Sequence, residues 1–199
     1  MIHFIGDIHG KLQHAFNILK SLPKQDIMVA IGDLGIGFPS IGDIELPENF
    51  KFIRGNHDNP DVCKQYHNYI GDYEYWPDED IFFISGADSV DKVYRTPGLD
   101  WWNDEQLSHD QLTKAVNLYA ETKPTLVVSH DCPAEIALCM LGKIRYKDDR
   151  TKLALQKMFE IHQPDEWIFG HYHVGERIET NNTKFRCLFE MEVVSQDAI

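Results

Sequence analysis

The opening stretch Met1-Ile2-His3-Phe4-Ile5-Gly6-Asp7-Ile8-His9-Gly10 runs four apolar-dominated residues straight into Gly-Asp-x-His-Gly. The apolar run reads as a short buried strand, and the glycine marks a sharp turn out of it. The same grammar recurs four more times. Residues 27–31 (IMVAI) lead to Gly32-Asp33, residues 50–53 (FKFI) to Arg54-Gly55-Asn56-His57-Asp58, residues 125–129 (TLVVS) to His130-Asp131, and residues 167–169 (WIF) to Gly170-His171-Tyr172-His173. Between these runs lie helix-like stretches at 11–22, 104–120 and 151–162, so strands alternate with helices as in an α/β domain. Residues 81–85 (IFFIS) add a further strand. Residues 174–180 and 184–190, separated by Asn181-Asn182-Thr183, read as a β-hairpin.

In open α/β sheets, ligands sit beyond the carboxyl ends of the strands, and that is where these Asp, Asn and His residues fall. Taken singly, each motif has an ordinary reading: Gly32-Asp33 as a turn, His130 as a hydrogen-bonded structural histidine. All five in order, each at a strand end, point instead to one shared site. Carboxylate, carboxamide oxygen and imidazole, with no cysteine among them, suit divalent ions such as manganese, iron or zinc. Seven candidate ligands exceed what one ion with open positions uses, but fit two ions that share a carboxylate. Two ions roughly 3.5–4 Å apart clamp a phosphoryl group for in-line attack.

Composition bounds the rest. The chain has 199 residues, 32 acidic and 19 basic, for a formal net charge of -13. That length suits a single domain spanning 1–199. No apolar run approaches the roughly 18 residues of a membrane span, so no membrane association is expected. The first residues show no secretory signal. Cys63, Cys132, Cys139 and Cys187 fit neither a zinc ribbon nor a disulfide framework, and read as reduced thiols of a cytoplasmic protein. So acidic a surface repels a polyanion, which argues against long nucleic acid as partner. Two divalent ions would bring the charge to about -9 and concentrate positive charge at the site, leaving room for a small or locally bound phosphate ester. Oligomeric state is not legible in the sequence.

The joint pattern DxH, GD, GNHD, H and GHxH, running from Asp7 to His173, resembles the calcineurin-like metallophosphoesterase family, in a compact form like its bacterial or phage members. The resemblance implies a sandwich of two β-sheets flanked by helices, and a phosphoesterase in which a metal-activated water attacks phosphorus directly. It implies that Asp7, His9 and His173 hold one ion and Asn56, His130 and His171 the other, with Asp33 bridging. Manganese is the first choice, with iron, zinc or nickel as alternatives. His57 matches the general acid that protonates the leaving oxygen, and Asp58 is expected to orient it. Arg54, before Gly-Asn-His, matches an arginine that contacts phosphate in the protein-phosphatase branch, and Asn56 is expected near the substrate too. That branch shows GDxVDRG, whereas Asp33 is followed here by Leu34-Gly35-Ile36-Gly37, which argues against protein-phosphatase activity.

A phosphomonoester is the favoured substrate. The alternatives are a diesterase for cyclic nucleotides, short oligonucleotides or dinucleoside polyphosphates, and a non-catalytic metal-binding scaffold. Several features receive no site role: the aromatic cluster Tyr66, Tyr69, Tyr73, Tyr75 and Trp76; Trp101-Trp102 with Glu105; and Asp88, Asp91 and Arg95, which fit no ligand slot. Cys132 is expected near the ions without binding them. The basic window 143–150 (KIRYKDDR) reads as a solvated loop, and substrate selection is expected to reside in segments such as 66–80 and 142–150.

Overall fold

The computed structural model describes residues 1–142 and 149–198. Among the described residues, ten strands form two sheets. The first holds β1 (Ile2–Ile5), β2 (Ile27–Ala30) and β3 (Phe50–Phe52) in parallel, with β10 (Val193–Ser195) antiparallel on the β1 edge. The second holds β5 (Ile81–Ile84), β6 (Leu126–Ser129), β7 (Glu166–Phe169) and β9 (Thr183–Cys187) in parallel. Antiparallel β4 (Tyr73–Trp76) and β8 (Glu176–Thr180) close its two edges.

The near-continuous apolar strands follow from burial on both faces. Ile2, Phe4, Val29 and Ile31 of the first sheet meet Ile81, Phe83, Val128 and Ile168 of the second in one buried cluster between the sheets. The alternate residues Ile5, Met28, Ala30 and Phe52 face outward onto α1 (Leu12–Ser21) through Leu12, Ala15 and Leu19. On the other side Phe82, Val127 and Trp167 face Leu112, Tyr119, Ile136 and Leu155, carried by α3 (His109–Thr122), α4 (Ala134–Leu141) and α5 (Arg150–Ile161). The order is helix, sheet, sheet, helices, as the expected two-sheet sandwich requires.

Some boundaries moved, for local reasons. The third helix begins at His109 rather than 104, because Ser108 caps it through a reciprocal box with Gln111. The hairpin turn contains only Asn181 and Asn182, both at positive φ (49° and 66°), the two-residue turn that matches strand twist. Thr183 already pairs with Thr180. Six elements lie outside the expected set: β4 with its Tyr-Glu-Tyr-Trp, β10, α4, the four-residue α2 (Pro60–Cys63) capped by Asn59, and two 3-10 turns at Lys92–Tyr94 and Gln196–Ala198. Most of the basic window 143–150 lies outside the described residues. Its last two, Asp149 and Arg150, cap and open α5.

Candidate metal centre

Backbone hydrogen bonds pull the strand-end loops of both sheets together. Ile8 and His9 donate to the Asp33 carbonyl, Gly170 to that of His130, and Gly86 to that of Arg54. The donor residues then sit in conformations that side chains seldom adopt: His9, Asp33, His171 and His173 have φ of 45°, 53°, 72° and 53°. Left-handed backbone in non-glycine residues costs on the order of 1 kcal/mol each and collects at functional sites. Gly55 is needed for space, since a Cβ there would overlap Asp33 Oδ1 and His130 Nε2.

One group of donors reaches solvent through its two histidines, with Asp7 and Asp33 buried beneath them. Ligand atoms of Asp7, His9, Asp33 and His173 all lie within 4.8 Å of one another. His9 Nε2 and His173 Nε2 are 2.8 Å apart, and His173 Nε2 is 3.3 Å from Asp7 Oδ2. Asp7 Oδ1 and Oδ2 also accept the His171 backbone N–H at 3.2 and 3.1 Å, so the carboxylate is fixed before any ion arrives.

The second group is buried. His130 Nε2 lies 3.2 Å from both Asp33 Oδ1 and Asn56 Oδ1. His130 Nδ1 donates to the Ile31 carbonyl at 2.9 Å, which fixes the ring with Nε2 turned toward Asp33 and Asn56. The His171 ring lies 5.1 Å from that of His130. Burial opposes charge on His130, but Asp33 outweighs it and the imidazole is pushed up to about 10. Burial lowers His171 to about 4. Asp33 is held well below the usual carboxylate range: burial raises it, but the charge of His130 prevails. Asp33 therefore faces both groups, 3.2 Å from His130 and 4.0 Å from His9.

All seven expected ligands thus come from strand-end loops and converge. The set is carboxylate, carboxamide and imidazole, and it fits divalent ions of the manganese, iron and zinc kind. The nitrogen pair at 2.8 Å between His9 and His173 makes sense around a shared cation.

Behind this site, buried Lys152 donates from Nζ to Asp131 Oδ2 and Asp149 Oδ2, both at 2.6 Å. The Tyr172 hydroxyl donates to Asp131 Oδ1 at 2.6 Å. Asp131 follows His130 and Tyr172 separates His171 from His173, so this network ties the two ligand loops to α5. Cys132 lies in the same corner, with Sγ 3.7 Å from the Tyr172 hydroxyl.

Two expected roles need correction. Arg54 is 2% exposed and turned into the protein, donating to Asp72 Oδ1 at 3.2 Å and to the Glu105 carbonyl at 2.6 Å. It is a buried structural arginine without access to a phosphate. Asp58 does not orient His57: its oxygens accept backbone N–H groups of Gly35, Ile36 and Gly55 at 2.8, 3.0 and 2.8 Å, bracing two ligand loops against each other.

His57 itself donates its backbone N–H to Asp33 Oδ1 at 2.8 Å, and its ring stands 5.5 Å from that of His9. The Phe38 ring stacks on it. Its other neighbour is Arg95, which the sequence reading left without a role. Nη2 of Arg95 lies 2.9 Å from His57 Nε2. Burial lowers His57 below the ordinary histidine value; Asp33 opposes this and Arg95 adds to it. Nothing in the spacing of Arg95 announces it, because it lies 38 residues from His57 on an irregular segment.

The model for calcineurin-like phosphoesterases matches residues 1–175. No curated protein matches the chain. Among solved structures, phosphopantetheinyl hydrolase from Mycobacterium tuberculosis is similar at 11% identity and a TM-score of 0.55, over 95% of this chain and 89% of that one. A conserved uncharacterized protein from Streptococcus pneumoniae TIGR4, described as a predicted phosphoesterase, aligns at 12% identity and a TM-score of 0.43, over 95% of this chain and 71% of that one. With the match running through every strand-end motif from Asp7 to His173, the chain belongs to the calcineurin-like phosphoesterase family and is a metal-dependent phosphoesterase, a hydrolase.

Proposed function

We propose that the protein hydrolyses a phosphomonoester of small size, or one presented locally on a larger molecule, as a single cytoplasmic domain. The observation that carries this reading is the convergence of Asp7, His9, Asp33 and His173 within 4.8 Å, with the His57 ring beside them. Asp7, His9 and His173 would hold one divalent ion and Asn56, His130 and His171 the other, with Asp33 serving both and manganese the first choice of metal. Such ions, when bound, polarise a phosphoryl group and lower the pKa of water to within reach of neutral pH. The chain's own part is to fix the donors and to move a proton. Asp7 is anchored by the His171 N–H, and His130 by the Ile31 carbonyl.

His57 is the group that passes a proton to the leaving oxygen, the usual work of a positioned imidazole. It stands at the mouth rather than among the ligands, in a small cavity lined by His9, Gly10, Gly35, Phe38 and Ile41. A chain of net charge -13 favours a compact phosphate over a polynucleotide. No helix among the described residues is long and apolar enough to cross a membrane. The four free thiols, three of them buried, support the cytoplasmic reading.

The test compares para-nitrophenyl phosphate with its bis ester on manganese-loaded protein. The monoester is expected to be the better substrate, and a clear preference for the bis ester overturns this reading in favour of a diesterase. His57→Ala should lower kcat about 10²–10⁴-fold while metal content stays at two ions per chain. Unchanged turnover removes His57 from the reaction.

A further inference from the structure

The segment 86–106 leaves β5, crosses the mouth of the site and returns at the start of α3. Arg95 sits on it, 15% exposed, and its guanidinium is gripped from behind. Nε donates to Asp91 Oδ1 and Nη2 to Asp91 Oδ2, both at 2.7 Å, and Nη1 donates to the Asp100 carbonyl at 3.2 Å. A guanidinium has five N–H groups in a planar fork. Three are thereby fixed, and the remaining two, one on each Nη, both meet the His57 ring, at 2.9 Å from Nε2 and 3.3 Å from Nδ1.

That pairing is chemically incomplete. A neutral imidazole has one acceptor nitrogen and one N–H, so it can satisfy only one prong of the fork. The other prong meets a donor. A phosphoryl group offers two anionic oxygens at a spacing that matches both prongs, the geometry for which arginine is preferred. The ring under the fork is also the one beside His9 and bonded through its backbone to Asp33, so the prongs open toward the donor atoms. Among the described residues, Arg54 is turned inward and Lys152 lies behind the ligand loops.

We propose that Arg95, held by Asp91, is the residue that binds the non-bridging oxygens of the substrate's phosphoryl group. The assignment rests on the phosphoesterase reading above, and it moves the phosphate contact expected of Arg54 to a different segment of the chain. The fork exchanges an imidazole for two phosphoryl oxygens, and Asp91 keeps it aimed while it does so.

The experiment uses the full chain loaded with manganese and measures binding of inorganic phosphate by calorimetry, alongside KM and kcat for para-nitrophenyl phosphate. Arg95→Ala should weaken phosphate binding about 10–100-fold and raise KM comparably, with manganese stoichiometry unchanged. Arg95→Lys keeps the charge and loses the fork, so it should fall between the two; if the alanine variant does not fold, the lysine variant decides. Phosphate affinity within twofold of wild type in either folded variant overturns the assignment. So does a loss confined to kcat, the signature of an effect relayed through His57, and so does a manganese-loaded wild type that binds no phosphate. A wild type that binds phosphate through Arg95 yet does not hydrolyse the monoester overturns the monoesterase reading and leaves the assignment standing. Hydrolysis with phosphate affinity insensitive to Arg95 does the reverse.

Discussion

Asp7, His9 and His173 make up an open half of the donor set, and Asn56, His130 and His171 a sealed one. The His9 and His173 side chains are 23% and 45% exposed, while His130 is fully buried. The sealed half is braced by the protein itself. The Ile31 carbonyl sets the tautomer of His130, and the Asn56 amide nitrogen donates to Ser89 Oγ at 3.0 Å. Ser89 Oγ donates in turn to the buried Glu105 carboxylate at 2.6 Å, so the Asn56 oxygen is left facing His130. In the open half, His9 and His173 lean mainly on each other, with Glu190 3.6 Å from His173 Nδ1. The difference teaches that the sealed half is organised before an ion binds, whereas in the open half only Asp7 is held in advance and the two histidines are completed by the ion. An ion in the sealed half should therefore survive chelation longer than one in the open half.

The most damaging way to break this contrast is to remove the brace common to both halves. Lys152→Met would strand the Asp131 and Asp149 carboxylates in the interior, and should cost about 3–5 kcal/mol in urea unfolding. A loss below about 1 kcal/mol would mean that the ligand loops do not depend on this network.

A pair of histidine truncations sharpens the contrast directly. His130→Ala removes a fully buried ring and leaves the Ile31 carbonyl without its partner, so about 2–3 kcal/mol of stability should go, together with the more tightly held ion. His173→Ala is made at a half-exposed position, and should change stability by less than about 0.5 kcal/mol while abolishing the weaker ion. Equal losses in unfolding and metal titration would erase the distinction between the halves.

The smallest effect belongs to Ser89→Ala, which frees the Asn56 amide to turn over. Groups that orient metal ligands typically contribute 10–100-fold, so affinity for the tighter ion should fall about tenfold, with the weaker ion unaffected. Equal weakening of both ions would show that Ser89 supports the fold rather than the amide.

The legible and illegible parts of the molecule separate along physical lines. Runs such as IMVAI and TLVVS announce themselves because strands covered on both faces must be apolar throughout, and the ligand sits where each run stops. Direction is harder. Arg54 and Asn56 lie two residues apart, yet the first turns inward to Asp72 and the second toward His130. Only the position of Asp72 and of the Glu105 carbonyl decides that. Arg95 could not be read at all, because its partner His57 is brought to it by an aperiodic segment whose course depends on tertiary contacts. Edge elements such as β4 were missed because short, half-exposed strands carry little pattern.

The pairing of β1 with β10 bears on how the chain is made. His3 lies opposite Ser195 and bonds to its hydroxyl across 192 residues of sequence. β1 is therefore made well ahead of β10 and waits for it before its sheet is complete. At synthesis rates of about 5–20 residues per second the interval is about 10–40 s. During it the β1 edge, flanked by a loop already bearing Asp7 and His9, is unpaired and open to other strands. Production of this protein is thus sensitive to elongation speed and to chaperone supply, even though its finished fold leaves that edge covered.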